Sequence, residues 1–332
     1  YSIYYNWCNT ACYISFFCKE QINRRIHDIQ THDFPDPDAI ASAYGLAELM
    51  KIHGIDASIC YRGKIERYST NGMVKALDID MIKIASCEDI REDSEIILVD
   101  SQKGNSNIID TDGDEIICID HHPTFVEAKY RFSDIRPEMG ACSTIIAEYY
   151  MENNIPMDRK VATALMYGIK MDTLGLSRGV SVKDIEAYSY LFELADHDIM
   201  SSLEHCSISL IDLKAYGNAI NSIKVYNNLS FANTGCDCPE GLIASISDFM
   251  LDLIEVDFSV VYSLKKDGIK LSVRSSGLLD AGKITNEALK GLGSGGGHAS
   301  MAGGFVPIDG DSGDADRKIA DIEDRFLEIF EM

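Results

Sequence analysis

The chain has 332 residues, of which 46% are hydrophobic and 25% charged; this composition is typical of globular proteins, and the length suits two domains. The formal net charge is −23 at pH 7, from 30 Lys and Arg against 53 Asp and Glu. Long nucleic acid is bound through many Lys and Arg side chains, so this balance disfavours such a partner. No apolar run reaches the ~18 residues that a membrane span requires. The sequence therefore excludes disordered and fibrous proteins and predicts no membrane partner.

The ten cysteines are scattered along the chain and form no Cys-x-x-Cys pair. Several lie in apolar stretches such as 116–119, where a thiol behaves as a small hydrophobic group. We interpret them as reduced thiols and expect a cytoplasmic protein. Residues 1–18 form an atypical segment rich in aromatic residues and cysteine, and the first methionine is Met50. We expect that the sequence is a fragment, a processed chain or a translation from a non-AUG codon.

From about residue 19 onward, helical patterns alternate with short apolar runs. A helix is predicted over 38–53, and the apolar runs lie at 57–61, 95–100 and 115–120. Further helices are predicted over 143–153, 159–170 and 182–204. Apolar strands that alternate with helices indicate a parallel sheet with helices on both faces. The ligand site of such a sheet lies beyond the carboxyl ends of its strands.

The chain is predicted to contain a first domain over 19–200, a linker helix over 201–222 and a second domain over 223–332. The second domain has strand patterns at 258–262 and 270–275, a glycine-rich stretch at 291–304 and a final helix at 315–330. We therefore predict an α/β fold: a parallel-sheet domain followed by a smaller α/β domain.

Four segments of the first domain carry carboxylates and imidazoles at predicted strand ends or helix ends. The residues concerned are His32, Asp36 and Asp38, then Asp100, then Asp120, His121 and His122, and finally Asp172. Carboxylate oxygens with a few imidazoles suit Mn²⁺ or Mg²⁺ better than structural Zn²⁺. Taken singly, each segment has another interpretation: Asp38 as a helix N-cap, Asp100 as a turn residue, the histidine pair as a turn feature and Asp172 as a helix cap.

Taken together, the four segments resemble the motifs of the DHH phosphoesterase superfamily, in the same order. The segment 293–304, with Gly295, Gly296, Gly297 and His298, resembles the signature of the DHH-associated C-terminal domain. Read alone, this segment could also be a flexible linker. The resemblance covers residues 20–330 and points to the NrnA-like branch of oligoribonucleases and pAp phosphatases. It implies an active site in the cleft between the two domains.

The resemblance implies two divalent cations, Mn²⁺ above all, with Mg²⁺ or Co²⁺ as alternatives. His32, Asp36 and Asp100 would hold one ion, and Asp38, Asp100, His121 and Asp172 the other. Asp120 would orient a neighbouring imidazole, and His122 would face the substrate phosphate as a donor or general acid. The second domain would bind substrate through the following residues: Arg274, Ser275, Gly295, Gly296, Gly297 and His298.

The activity implied is hydrolysis of short oligoribonucleotides, of 3′-phosphoadenosine 5′-phosphate, or of both. The alternatives are an exopolyphosphatase or pyrophosphatase, a cyclic-dinucleotide phosphodiesterase, and a non-catalytic regulator that retains a relic site. The predicted partners are short single-stranded oligoribonucleotides or small nucleotides, with no long duplex, and a homodimer is left open.

Overall fold

The structure is a computed structural model that describes residues 27–65, 68–105, 107–205, 209–235, 237–308 and 313–331. The chain forms two compact units, divided between Ser207 and Ile208. The atypical segment 1–18 lies outside the described residues.

The first unit contains six strands and six α-helices among its described residues. In chain order they are β1 (His27–Gln30), α1 (Pro37–Ile52), β2 (Ala57–Arg62), α2 (Tyr68–Leu77), β3 (Ile82–Ile84), β4 (Glu95–Val99), β5 (Asp114–Asp120), β6 (Phe132–Ile135), α3 (Cys142–Glu152), α4 (Arg159–Asp172), α5 (Val182–Leu194) and α6 (His197–His205).

The six strands form one parallel sheet in the order β3-β2-β1-β4-β5-β6. The strand β1 pairs with β4 so that Gln30 faces Leu98, and β4 pairs with β5 so that Val99 faces Ile119. The segments that follow these three strands therefore start side by side at one edge of the sheet. This is the edge where parallel sheets bind ligands.

The larger hydrophobic core of this unit lies on one face of the sheet. It joins Ile97, Val99 and Ile117 of the strands to apolar side chains of the helices, among them Leu46 of α1 and Leu165 of α4. A smaller cluster covers the opposite face and is contributed by strands and by the segments that connect them, including Ile90 and Ile108. The sequence predicts helices on both faces; among the described residues, the second face is covered by apolar side chains of the connecting segments, such as Ile90, Ile108 and Tyr130.

The second unit contains six strands and four helices among its described residues. In chain order they are α7 (Asp212–Ser222), β7 (Lys224–Tyr226), β8 (Leu229–Asn233), α8 (Glu240–Leu251), β9 (Phe258–Leu264), β10 (Gly268–Ser275), α9 (Ala281–Ala288), β11 (Ser294–Gly297), β12 (Met301–Pro307) and α10 (Asp314–Glu331).

These strands form a mixed sheet in the order β11-β12-β10-β9-β8-β7, in which only β8 and β9 run parallel among the described pairs. Apolar side chains of α7 and α8 pack on one face, and those of α9 and α10 pack on the other. The helix α7, which the sequence places in the linker, packs against β8 of this sheet.

The α/β prediction is confirmed, and the long apolar elements lie within one or two residues of their predicted bounds. The predicted helix 182–204 is divided at Ala195, whose extended backbone ends α5. The stretch 291–304, predicted as a glycine-rich segment, contributes the paired strands β11 and β12. In the described part of the chain, no helix is long and apolar enough to cross a bilayer.

Candidate metal centre

The predicted metal-binding side chains lie at the carboxyl edge of the first sheet. His32 and Asp36 belong to the segment between β1 and α1, Asp100 follows β4, and His121 follows β5. Asp172 is the last residue of α4. Residues that are up to 140 positions apart in the sequence are therefore brought to one edge by the strand order.

Asp36 and Asp38 have different structural roles at the start of α1. Asp36 is the N-cap, because its Oδ1 accepts hydrogen bonds from the backbone N–H groups of Asp38 and Ala39 at 2.9 and 3.0 Å. Asp38 lies in the first turn and is buried. The capping role that the sequence allowed for Asp38 thus belongs to Asp36, and the carboxylate of Asp38 is directed elsewhere.

The donor atoms of these side chains form three groups, in each of which all atoms lie within 4.8 Å of one another. The first group is His32, Asp36 and Asp100, the second is Asp38, His121 and Asp172, and the third is Asp100, His121 and His122. Asp100 belongs to two of the groups, and so does His121. The six residues predicted as ligands therefore occupy two adjoining clusters, with Asp100 between them.

The distances place Asp100 in contact range of both clusters. Its Oδ2 lies 3.7 Å from Nε2 of His32, and its Oδ1 lies 3.3 Å from Nε2 of His121. Asp172 approaches the same nitrogen of His121, with Oδ2 at 3.4 Å. Asp100 has a left-handed backbone, with φ of 57°, a conformation that Asp tolerates better than most residues.

The two predicted histidine ligands are both oriented through Nδ1. Nδ1 of His32 lies 2.8 Å from the carbonyl oxygen of Asp33, and Nδ1 of His121 lies 3.2 Å from that of Met139. A carbonyl oxygen only accepts, so each Nδ1 carries the proton and each Nε2 faces the carboxylates. Metal-binding histidines are commonly oriented in this way by a backbone carbonyl.

The carboxylates control the protonation of these imidazoles. Burial lowers the pKa of His32, but the carboxylates of Asp36 and Asp100 outweigh burial and raise the pKa to about 10. Burial also opposes the charge on His121, whereas Asp100, Asp172 and Asp38 raise its pKa well above the usual value. The cluster therefore favours positive charge at these positions, which protons supply when no metal is bound.

Asp38 is held by the N-terminus of α3. Its Oδ2 accepts the N–H of Cys142 at 2.7 Å, and its Oδ1 accepts the N–H of Ser143 at 2.9 Å. These bonds favour the charged form. Burial and the neighbouring carboxylates of Asp100 and Asp172 raise the pKa of Asp38 well above its usual value. The carboxylate is thus fixed in place, and in the described chain its nearest cationic partner is the imidazole of His121, with Nε2 4.0 Å from Oδ2.

A glycine makes the approach of α4 to this carboxylate possible. A Cβ at Gly168 would overlap Oγ of Ser143 and lie 3.1 Å from Oδ1 of Asp38. A larger residue at this position of α4 would displace the hydroxyl of Ser143 and crowd the carboxylate of Asp38, so Gly168 allows α4 to pack closely against α1 and α3.

The segment 139–143, which orients both His121 and Asp38, is itself held by Asp184 of α5. The carboxylate of Asp184 is buried and accepts the N–H of Gly140 at 2.9 Å and the hydroxyl of Thr144 at 2.5 Å. It also accepts the N–H and hydroxyl of Ser181. Asp184 therefore connects α5 to the segment that orients two of the predicted ligands, His121 and Asp38.

Asp120 does not belong to any of the three donor groups; it orients the histidine pair. Its Oδ1 accepts the N–H groups of His121 and His122 and Nδ1–H of His122, the last at 2.8 Å. Its Oδ2 accepts the side-chain amide of Gln102 at 2.8 Å. Burial raises the pKa of Asp120, but His122 and Gln102 outweigh it and hold the pKa below the usual value.

The residues present fit a divalent cation. Oδ1 of Asp100 is buried and accepts no hydrogen bond, whereas most buried carboxylate oxygens do. No Lys or Arg of the described chain pairs with the carboxylate of Asp38, Asp100 or Asp172. Oxygen donors with a few imidazoles are the ligands that Mn²⁺ and Mg²⁺ accept.

The residues predicted to bind substrate lie in the second unit. Arg274 is buried on β10, where its Nε donates to Oδ1 of Asp248 at 2.6 Å and its Nη1 donates to Ser272. Ser275 donates its hydroxyl to the carbonyl of Leu279. Both side chains therefore have structural partners of their own.

The glycine-rich stretch is part of the sheet. Gly295, Gly296 and Gly297 pair with β12, and β11 is the edge strand. His298 follows, with its N–H donated to the carbonyl of Met301 at 2.7 Å and its own carbonyl accepting the N–H of Gly282. At Gly296 no atom lies within 4 Å of the position that a Cβ would occupy, so its face is open.

Sequence reasoning missed the residues that orient the site: Gln102, Met139 and Asp184. Met139 acts through its carbonyl and leaves no signal in the sequence. Asp184 lies three residues after Ser181, a helix-start pattern that predicts a capping box, but nothing in the pattern shows that its carboxylate also holds the segment 139–143.

Comparison with known proteins follows the two units. The sequence of residues 29–169 matches the family described as "DHH family, N-terminal domain", and the sequence of residues 228–328 matches the DHHA1 domain family. In structure, the chain is similar to an exopolyphosphatase-related protein from Bacteroides fragilis, with a TM-score of 0.77 and 19% identity over 96% of this chain and 95% of that one. At this identity the likeness concerns the fold alone.

Three curated relatives extend the comparison. An uncharacterized protein of Methanocaldococcus jannaschii is 34% identical over 84% of this chain and 58% of its own length. The cyclic-di-AMP phosphodiesterase PdeA of Listeria monocytogenes is 24% identical over 82% of this chain and 44% of its own. A probable manganese-dependent inorganic pyrophosphatase of Streptococcus thermophilus is 28% identical over 43% of this chain and 46% of its own. The chain thus spans about half the length of these relatives.

Proposed function

We propose that this protein, which belongs to the DHH family and carries a DHH domain followed by a DHHA1 domain, is a metal-dependent phosphoesterase. Its substrates are short oligoribonucleotides, 3′-phosphoadenosine 5′-phosphate, or both. Hydrolysis uses water activated by two divalent cations, of which Mn²⁺ fits best. This proposal concerns the chain itself; the activities printed for its relatives belong to those longer proteins.

The observation that supports it most is the shared position of Asp100 between two donor groups. His32, Asp36 and Asp100 would hold one ion, and Asp38, Asp100, His121 and Asp172 the other. When bound, two adjacent dications lower the pKa of water and stabilise both the entering and the leaving oxygen of an in-line displacement.

His122 is placed to donate a proton. Burial lowers its pKa, but its bond to Asp120 and the charge of Asp100 outweigh burial and raise it. His122 donates its Nδ1–H to Asp120 at 2.8 Å, so a second proton on the ring would sit on Nε2, and about a third of the side chain is exposed. As water adds to phosphorus and the ester bond breaks, His122 would protonate the leaving oxygen.

The second unit would bind a substrate phosphate. Arg274 presents a planar guanidinium suited to phosphate oxygens, and Asp248 fixes its orientation. His298 would add a donor, and Ser275 would add one only when its hydroxyl leaves the carbonyl of Leu279. Gly295, Gly296 and Gly297 lie on an edge strand and carry no side chains that would block a phosphate.

Short substrates are favoured by charge. The chain carries −23 in total, so phosphates beyond the few local cations meet an acidic surface within a Debye length of ~8 Å at physiological salt. We expect kcat/KM to fall steeply beyond about five nucleotides, since each further phosphate adds repulsion without a new cation, and we expect no cleavage of duplexes.

A second candidate function is hydrolysis of a cyclic dinucleotide. It is supported by the curated cyclic-di-AMP phosphodiesterases, which match this chain over 82% of its length and thus over both domains. The pyrophosphatase match covers 43% of the chain, so an inorganic substrate has weaker support.

A substrate panel under Mn²⁺ tests the proposal. The panel contains pApA, 3′-phosphoadenosine 5′-phosphate, pyrophosphate, polyphosphate, cyclic di-AMP and a ladder of oligoribonucleotides up to 24 nucleotides. We expect Mn²⁺-dependent release of mononucleotide from the shortest substrates, lost on chelation.

The Arg274→Ala variant serves as a matched probe of substrate binding. Since Arg274 contributes binding rather than chemistry, KM for phosphate-ended dinucleotides should rise more than KM for a small generic phosphodiester. Equal efficiency on a 2-mer and a 24-mer would contradict the oligoribonuclease proposal. Faster hydrolysis of cyclic di-AMP than of pApA would favour the second candidate.

A further inference from the structure

Phe34 is an exposed aromatic residue in the segment that carries the candidate ligands His32 and Asp36. It lies in the segment between β1 and α1, two residues after His32 and two before Asp36, and it is 55% exposed. Within the described chain it belongs to neither of the hydrophobic clusters of the first unit. Packing of the core therefore does not explain why a large apolar ring occupies this position.

The backbone holds Phe34 in an unusual conformation. Its φ is 56°, in the left-handed region that non-glycine residues adopt at an energetic cost. Its N–H donates to the carbonyl of Arg62 at 2.9 Å, and the N–H of the preceding Asp33 donates to the carbonyl of Asn107 at 2.7 Å. The backbone of residues 33 and 34 is thus hydrogen-bonded to two other segments of the first unit, which hold Phe34 in its left-handed conformation.

The ring rests on a glycine. A Cβ at Gly63, just after β2, would lie 2.8 Å from Cδ1 and 2.9 Å from Cγ of Phe34. Gly63 has φ of 88°, so both the space and the backbone there require glycine. Arg62, the residue before Gly63, donates its Nε–H to the carboxylate of Asp33 at 2.9 Å, and this bond links the end of β2 to the segment that carries Phe34. The backbone that carries the ring is therefore held in place at the carboxyl edge of the sheet, and the ring lies against Gly63.

We propose that Phe34 is the stacking platform for the nucleobase of the substrate whose phosphate is held at the metal centre. This inference rests on the proposed phosphoesterase function and assigns the residue that would contact the base of its nucleotide substrate. An aromatic ring stacks on every base, so it adds affinity without reading the sequence. Pyrophosphate and polyphosphate have no group that could use the ring.

Binding of two matched ligands to the Mn²⁺-loaded full chain tests the inference: AMP, and ribose 5-phosphate, which lacks only the base. Wild type should bind AMP more tightly than ribose 5-phosphate, because only AMP carries a base that can stack on the ring. The Phe34→Asn variant removes the ring while Asn tolerates the left-handed backbone, so its thermal midpoint should not fall. The affinity of Phe34→Asn for AMP should fall about tenfold, and its affinity for ribose 5-phosphate should not change. Phe34→Tyr keeps an aromatic ring and should bind AMP as tightly as wild type.

Phe192→Asn is the control, since Phe192 is 52% exposed on α5 and should affect neither ligand. Equal affinity of wild type for the two ligands, no measurable binding of AMP, or equal losses of both in Phe34→Asn would overturn the inference. Failure of the phosphoesterase proposal would look different: no Mn²⁺-dependent hydrolysis, with the preference for AMP still dependent on Phe34.

Discussion

The two ends of the first parallel sheet carry the same types of side chain in different arrangements. At the amino end, the first residues of β1, β4 and β5 are His27, Glu95 and Asp114. Arg131 pairs with Glu95 and with Asp114, each at 2.7 Å. At the carboxyl end, the imidazoles of His32 and His121 lie 3.3–4.0 Å from the carboxylates that face them. No Lys or Arg of the described chain pairs with Asp38, Asp100 or Asp172.

The pKa values of His27, at the amino end, and His32, at the carboxyl end, shift in opposite directions. Burial lowers the pKa of His27 by more than the nearby carboxylates of Glu95 and Asp28 raise it, and Glu95 is paired with Arg131. At the carboxyl end, the pKa of His32 is raised to about 10 against the effect of burial. A cluster of acids that contains its own cation is a structural ion pair, whereas a cluster that lacks one is a site for a cation from outside.

The largest effect that separates the two ends is expected from Asp100→Asn. Removal of a charge that belongs to two of the three donor groups should lower Mn²⁺-dependent hydrolysis by about 10³-fold, with the circular dichroism of the fold unchanged. Asp114→Asn, at the amino end, is the matched control: it should leave the rate unchanged and cost under ~1 kcal/mol of stability, since its pair with Arg131 is exposed. Near-normal turnover of Asp100→Asn with two bound Mn²⁺ would refute the shared-ligand assignment.

The adjacent histidines should fail in different ways. His121→Ala should weaken Mn²⁺ binding, because its Nε2 faces Asp100 and Asp172. His122→Ala should retain the metal and lose about 10²–10⁴-fold in rate, as expected for a general acid. Calorimetric Mn²⁺ titration and single-turnover rates on both variants distinguish the roles. Equal loss of metal in the two variants would contradict the division between them.

Asp184→Asn should have a moderate effect on metal affinity, because Asp184 acts through the segment 139–143. We expect Mn²⁺ affinity to fall about 10–100-fold, with the rate restored at saturating Mn²⁺. Thr144→Val is the control, because it removes one bond to Oδ1 and leaves the bond from Gly140 to Oδ2. If both variants lost stability alike and neither changed metal affinity, Asp184 would have only a structural role.

The smallest effect is a pH dependence of the metal-free chain. The folded pKa of His32, about 10, lies above its ordinary value of 6.5. Its contribution to stability is therefore complete below pH 6.5 and is lost as the pH rises toward 10. Denaturant unfolding should show stability falling from pH 6.5 to 9, with a flatter profile in His32→Gln. His27→Gln should show the same fall in stability as wild type, because the lowered pKa of His27 leaves that side chain neutral between pH 6.5 and 9. A His32→Gln profile as steep as that of wild type, or steeper, would contradict the assignment to His32.

The sequence predicts long apolar elements well and short polar ones poorly. The run 95–100 is apolar throughout, and β4 forms there. The strand β1 contains His27, Asp28 and Gln30, all buried, and no hydrophobic pattern marks it. Its burial comes from pairing with β2 and β4 on both sides, which is a property of the whole sheet.

The candidate ligands could be found in the sequence because their types and spacing are distinctive. Their orientation could not, since it depends on Met139, which acts through a backbone carbonyl, and on the N-terminus of α3. Phe34 likewise reads as an ordinary loop residue until its left-handed backbone and its contact with Gly63 are seen.

The central claim, that Asp100 joins two cation sites at the carboxyl edge, is tested most directly by counting bound Mn²⁺ and measuring the coupling between the ions. Equilibrium dialysis should give two Mn²⁺ per chain. Electron paramagnetic resonance should show exchange coupling, as expected for ions ~3.5–4 Å apart, and the coupling should disappear in Asp100→Asn. A single Mn²⁺ per chain, or two uncoupled ions that Asp100→Asn leaves in place, would contradict it.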